Sequence, residues 1–185
     1  MVNQFLAVTG ASVSVRKQLQ TWNAKIIDYL REYFNSDFQQ VRGTLFGDAI
    51  AKIAYLTETA IAQPDSFRGV VDLQGRLQAA AIVEVETDCL RVDIFTNAPW
   101  NVILNQPETM KGAATSLVES LVNESKSKGF SGRIKLYSLV RATQFYTKIG
   151  FVETDVPGEM ELTNVAAEIF LNRQLRFRKT GNETS

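Results

Sequence analysis

From Val70 to Asn97 short apolar runs, alternating with charged residues over Val83–Val85 and Leu90–Ile94, are divided by two turn signals, Gln74-Gly75 and Thr87-Asp88, into three segments. Apolar segments of this length bounded by turn residues read as a meander of strands, here 69–73, Leu77–Glu86 and Cys89–Asn97. Setting Val85 opposite Leu90, Val83 opposite Val92 and Ala81 opposite Ile94 gathers the apolar side chains on one face. A slip of one residue would turn all of them outward, so this pattern predicts the register. The same register puts Glu84 opposite Arg91, an expected cross-strand ion pair that removes Glu84 from the candidate bases.

Helical spacing surrounds the meander. Leu19, Trp22, Ile26, Leu30 and Tyr33 form a stripe over about Val15 to Phe34, and Asp48 precedes a second stripe of Ile50, Ile53, Ala54, Thr57 and Ile61 that stops before Pro64. A third helix is predicted from about Thr109 to Lys128, with Ala113, Ala114, Leu117, Val118, Leu121 and Val122 inward. Arg133–Leu139 alternates as a strand. Phe151–Asp155 and Glu159–Thr163 form a hairpin about Pro157-Gly158, and Asn164–Arg178 closes the chain as a helix. A strand, a helix and a strand between Leu90 and Leu139 require a crossover and one parallel pair within an otherwise antiparallel sheet. The fold class is therefore α/β (α+β), a mixed and mostly antiparallel sheet flanked by helices.

The 185 residues carry no repeat or linker, so one domain over 1–185 is expected. Lys and Arg total 20 against 20 for Asp and Glu, which gives no overall field toward nucleic acid or an anionic membrane. No apolar run is long enough to span a bilayer, and Met1–Ser12 lacks a basic leader region, so a cytoplasmic location is expected. The chain has no histidine. That excludes imidazole triads and dyads and HExxH metal sites together, and no metal is expected. Any catalysis falls to carboxylates, Tyr, Lys, backbone amides or a bound cosubstrate. The one cysteine, Cys89, lies beside a turn and reads as a bystander.

The segment Arg141–Phe151 (RATQFYTKIGF) places Ala142, Phe145, Tyr146 and Ile149 on one face of a short helix, with Gly150 supplying a positive φ at its end. From these residues alone Tyr146 is either a packed core aromatic or a proton donor. The segment resembles the A-x-x-F-Y-x-K-x-G-F signature of the GNAT superfamily of acyl-CoA N-acetyltransferases. The order of elements over 69–163 is similar to that family's as well, and over 4–62 the agreement is in element order only.

The resemblance implies a bulged strand before the long helix and a parallel pair, Leu90–Asn97 and Arg133–Leu139, splayed so that acetyl-CoA, the cosubstrate, lies between them. Amides near Phe95 and Thr96 would meet the pantetheine arm. The family's [RQ]-x-x-G-x-[GA] motif aligns with Thr109, Met110, Lys111, Gly112, Ala113 and Ala114, where amides at a helix N-terminus would hold the pyrophosphate. The implied reaction is direct acetyl transfer to a primary amine in a ternary complex, an acetyl-CoA-dependent N-acyltransferase of the EC 2.3.1 type. Tyr146 would be the general acid toward the leaving thiolate. An amine of pKa near 10.4 costs about 4.6 kcal/mol to deprotonate at pH 7, so a general base is needed, and Asp93 would be the candidate, ahead of Glu86 because it is nearer the expected cleft.

Three positions depart from the family pattern: Thr109 replaces Arg or Gln, Ala114 replaces the second Gly, and Leu139 stands where an Asn often holds the pantetheine. The segment Trp100–Glu108 is also longer and more apolar than the usual basic loop. These departures favour a second class, a non-catalytic binding or interaction protein on the same fold. Tyr146, Gly112 and Gly150 favour the enzyme, whose partner would be a small-molecule or peptide amine, with room for a homodimer. The basic C-terminal cluster Arg173, Arg176, Arg178 and Lys179 reads first as a solvated helix end.

Overall fold

The computed structural model of the chain describes residues 4–103 and 105–180, Thr180 in its backbone alone. Of the spans read from the sequence, residues 1–3, Leu104 in the Trp100–Glu108 loop and residues 181–185 lie outside the described residues. Strand β1 (Phe5–Thr9) leads into α1 (Val13–Phe34), α2 (Leu45–Ala62) and the meander β2 (Phe67–Asp72), β3 (Leu77–Val85) and β4 (Leu90–Asn97). Then follow α3 (Ala113–Ser127), β5 (Ile134–Tyr137), α4 (Val140–Ile149), β6 (Val152–Glu153), β7 (Glu159–Leu162) and α5 (Asn164–Thr180). The strands form a seven-stranded sheet in the order β1-β2-β3-β4-β5-β7-β6. β4 and β5 are parallel and each other pair is antiparallel, the mixed sheet expected from the element order.

Alternation along the strands divides the core in two. Ala79, Ala81, Val83, Val92 and Leu136 pack with Leu117 and Leu121 of α3 and Phe170 of α5, whereas Leu77, Ala80 and Ile82 pack with Leu19 and Trp22 of α1 and Ile53 and Leu56 of α2. From Ala79 to Val83 odd and even residues of β3 thus serve opposite layers, as the pleat requires, and Leu77 joins the even set because the register with β2 shifts between Leu77 and Ala79. β1 is an element that sequence reasoning missed. Its five residues show no clean alternation, since Phe5 is buried and the next two are exposed; pairing with β2 makes it a strand.

The predicted register holds at the hairpin end and changes further along. Val85 pairs with Leu90 and Val83 with Val92, but Ile82 then pairs with Ile94 and Ala81 with Phe95. Asp93 is therefore an extra residue in β4, a bulge that re-aims everything after it. Glu84 does lie opposite Arg91, yet the expected ion pair is not made. Arg91 binds Glu86, and Glu159 of β7 at 3.0 Å, because the sheet surface offers two carboxylates that already converge on it.

Helix starts also shift. α2 begins one turn before Asp48 because Thr44 is the cap, its hydroxyl accepting from the Gly47 amide at 3.1 Å. α3 begins at Ala113 rather than Thr109. Gly112 breaks the helical path at φ +92°, and the preceding turn is tied elsewhere: the Thr109 hydroxyl donates to the Trp100 carbonyl at 2.6 Å and the Met110 amide to Asn101 Oδ1 at 2.8 Å. At the other end of the chain, Arg173 of α5 donates to the Lys148 and Ile149 carbonyls, and Arg178 pairs with Glu119, so part of the basic cluster is structural.

Candidate active site

The bulge separates β4 from its parallel neighbour. Pairing with β5 covers only Leu90–Ile134, Arg91–Lys135 and Val92–Leu136, so β4 runs on through Asn97 without a partner on that side. The Ala98 amide donates to the Gln78 carbonyl of β3 at 3.0 Å. Peptide groups alternate along a strand, so Thr96 also faces β3 while Phe95 and Asn97 face the gap. The open edge expected near Phe95 and Thr96 is in backbone terms the edge of Phe95 and Asn97.

A cleft of about 420 Å³ occupies this gap. It is lined by Phe95, Thr96 and Asn97 of β4, by Asp48 and Lys52 of α2, by Ala114 at the start of α3, and by Leu139, Arg141, Phe145 and Tyr146 around α4. Tyr146 is held by its ring, with Phe145, Phe151 and Phe95 at centroid distances of 5.2, 5.4 and 6.2 Å. The residue is 4% exposed, and its hydroxyl has no hydrogen-bond partner among the described residues. Burial pushes the phenol above its ordinary value, so it keeps its proton at neutral pH and can only offer it.

The other predicted residues divide. Phe95, Thr96 and Ala114 share the cleft with Tyr146, while Thr109, Lys111, Gly112 and Ala113 do not line it. Ala113 is buried against the sheet, Lys111 and Gly112 are exposed, and Thr109 is used to fasten its own loop. No side chain caps α3; the Gly112 carbonyl accepts from Ser116, which leaves the amides of Ala113, Ala114 and Thr115 at the helix end. Such amides fit an anion. Asp93 does not line the cleft. It is exposed and accepts from the Tyr55 hydroxyl at 2.8 Å on the α2 side of the sheet. Glu86 lies at the far end of the hairpin, where hydrogen bonds from Arg91 hold its carboxyl below the usual range.

Sequence reasoning missed three cleft residues. Asp48 and Arg141 join across the gap at 3.0 Å, linking α2 to α4. Lys52, one turn beyond Asp48, donates from Nζ to the Phe95 carbonyl at 3.2 Å. Burial lowers its amine below the ordinary value, against the opposing charge of Asp48. Helical spacing alone shows that Asp48 and Lys52 share a face; the signal that this face meets β4 exists only in the fold. Among the described residues no group of His, Cys, Asp or Glu side chains could hold a metal ion, and no helix is long and apolar enough to cross a membrane.

The splayed parallel pair, the bulge and the Phe-Tyr helix over the gap define the GNAT fold, and the chain has it. The structure is similar to that of the PaiA N-acetyltransferase from Thermoplasma acidophilum in complex with coenzyme A, with a TM-score of 0.51 and 16% identity over 86% of this chain and 98% of that one. It is also similar to Tetrahymena GCN5, with a TM-score of 0.50 and 12% identity over 86% and 94% of the two chains. No protein-family model and no curated protein matches the sequence. At such identities the likeness establishes the fold, and function has to be argued from the site.

Proposed function

We propose that the protein is an acetyl-CoA-dependent N-acetyltransferase that passes the acetyl group directly to a primary amine of a small molecule or peptide. The observation that carries this reading is Tyr146, a buried ring whose protonated hydroxyl has no protein partner, on the wall of a cleft between splayed parallel strands. A core tyrosine normally satisfies its hydroxyl. One aimed at a cleft without a partner is placed to donate to something that binds there.

The residues present fit the cosubstrate. The edge of β4 without a strand partner offers the Phe95 and Asn97 amides and the Asn97 carbonyl to a pantetheine arm, and the uncapped start of α3 offers amides to phosphate. Acetyl-CoA supplies an activated acyl group with a good leaving thiol. Tyr146 protonates that sulfur as it departs. Asp48 is the carboxylate that lines the cleft, so it is better placed than Asp93 to take a proton from the incoming amine.

A non-catalytic reading is favoured by one contact: Lys52 already occupies the Phe95 carbonyl. Calorimetry and a melting shift with acetyl-CoA separate the two. A ligand at about 100 times its dissociation constant adds about 2.7 kcal/mol to unfolding. Binding followed by release of free thiol with one of a panel of primary amines supports the enzyme; binding without thiol release supports the second reading. No binding at millimolar acetyl-CoA refutes the proposed activity.

A further inference from the structure

Lys52 is unlike the other lysines of the chain. Lys25, Lys126, Lys128 and Lys135 each sit beside a carboxylate of Glu108, Glu168, Glu124 or Glu159, and Lys17, Lys111, Lys148 and Lys179 are exposed to solvent. Lys52 makes no ion pair among the described residues. The carboxylate nearest on its own helix, Asp48, is bonded to Arg141 instead, and the Lys52 ammonium rests on a neutral carbonyl. That carbonyl belongs to Phe95, on the edge of β4 that faces the gap, and Lys52 lines the same cleft as Tyr146.

We propose that Lys52 is itself an acetyl acceptor, a modification site inside the protein's own cleft, with an acyl-CoA thioester as the donor class. The inference rests on the acetyl-CoA reading above and deepens it, since it names the first amine that the site meets. α2 delivers a primary amine to the β4 edge along which a thioester would lie, without the diffusional step that an external amine needs. Half-burial with no ion pair of its own favours the neutral, nucleophilic form, and outweighs the opposing charge of Asp48, in keeping with the lowered pKa.

The chemistry balances. The ammonium first loses one proton to solvent. Nζ then attacks the thioester carbonyl, the carbon–nitrogen bond forms, the carbon–sulfur bond breaks, and the thiolate takes its proton from Tyr146, which recovers one from Nζ. The products are an amide on Lys52 and a free thiol, with nothing oxidised or reduced.

The full-length chain, incubated with acetyl-CoA and digested for peptide-resolved mass spectrometry, tests this. Lys52 should gain one acetyl group about tenfold or more faster than exposed Lys17, Lys111 or Lys148, approaching one per chain, and urea should abolish the preference. Lys52→Arg should leave no preferred site. Calorimetry on the wild type separates the two levels of the argument. If acetyl-CoA binds and Lys52 reacts no faster than the exposed lysines, the inference is overturned and the proposed activity stands. If acetyl-CoA does not bind, both fall. Equal preference for Lys52 in folded and urea-treated protein also overturns the inference.

Discussion

Replacing Tyr146 by Phe separates chemistry from packing, because the structure says what the hydroxyl does not do. It makes no hydrogen bond to the protein, so its removal orphans no donor or acceptor, and the ring contacts with Phe145, Phe151 and Phe95 remain. The stability change should lie within about 1 kcal/mol, since the hydroxyl lies on the cleft wall and its loss leaves no buried group unpaired. Truncation to Ala, by contrast, should cost about 3–5 kcal/mol. Turnover should respond differently. A phenol of pKa near 10 giving its proton to a thiolate near 8.5 works uphill by about 2 kcal/mol in water. Burial raises both anions, so the balance between them changes less than either value. Loss of a positioned acid costs about 10²- to 10⁴-fold, equivalent to about 2.7–5.5 kcal/mol at the transition state. The assay is thiol release from acetyl-CoA with an amine that supports wild-type turnover, beside urea unfolding and calorimetry of acetyl-CoA binding. The raised phenol also predicts that any basic limb due to Tyr146 begins above about pH 10, the ordinary phenol value. Full turnover in Tyr146→Phe would make this residue a core aromatic and remove the acid from the mechanism.

Gly112→Glu should lose acetyl-CoA binding by calorimetry while its circular dichroism stays near native, since a side chain at φ +92° costs about 1–3 kcal/mol and sets a carboxylate beside the amides of α3; unchanged affinity would place the phosphates elsewhere. Glu124→Ala removes the bidentate partner of Arg68, bonded at 2.6 and 2.7 Å, and should destabilise by about 3 kcal/mol in urea, the low end for a broken buried pair because Arg68 keeps the Asp65 and Phe67 carbonyls. Stability should also fall between pH 9 and about 12, because burial and then the Glu86 carboxylate push the Cys89 thiol up from 9.0 to about 12. A raised folded value gives stability that is present below the unfolded value and lost as pH rises through the folded one; Cys89→Ala should flatten that part of the unfolding profile.

Most of the sheet was legible in the sequence because its strands carry their own patterning. The meander, the parallel pair and the Phe-Tyr helix follow from alternation, turn residues and an i, i+3, i+4, i+7 face. The bulge at Asp93 was not visible in the residues, since an extra residue leaves the apolar count unchanged and only the jump from Val83–Val92 to Ile82–Ile94 reveals it. That one residue reverses which peptide groups face the gap, and so Phe95 and Asn97, rather than Phe95 and Thr96, offer the open edge. β1 was invisible because a five-residue edge strand is defined by its neighbour. The cleft residues of α2 were hidden for a related reason. Asp48 stood in the sequence only as the residue before the second stripe, and with Thr44 capping α2 its carboxylate is left to reach Arg141, 93 positions away.

The altered residues before α3 move the work of anion binding from side chains to backbone, with a consequence for which part of acetyl-CoA matters most. Thr109 cannot serve a phosphate while its hydroxyl is fixed on Trp100, Ala114 turns a methyl toward the cleft, and Lys111 is the sole cation in the stretch 109–114. What remains at the helix start is a set of amides and the dipole, whose exposed end contributes about 0.3–1 kcal/mol toward an anion. The other end of the site is richer, with the open edge of β4, the aromatic rings of Phe95, Phe145 and Tyr146, and an apolar lining. Affinity should therefore reside mainly in the thioester and pantetheine. S-acetyl-N-acetylcysteamine, which has no phosphates, should bind within about 1–2 kcal/mol of acetyl-CoA, whereas 3′,5′-adenosine bisphosphate should compete weakly in the same calorimetric cell. The reverse order, tight binding of the bisphosphate and none of the short thioester, would show that the amides of α3 carry the ligand and that the cleft beneath Tyr146 is not where the acyl group rests.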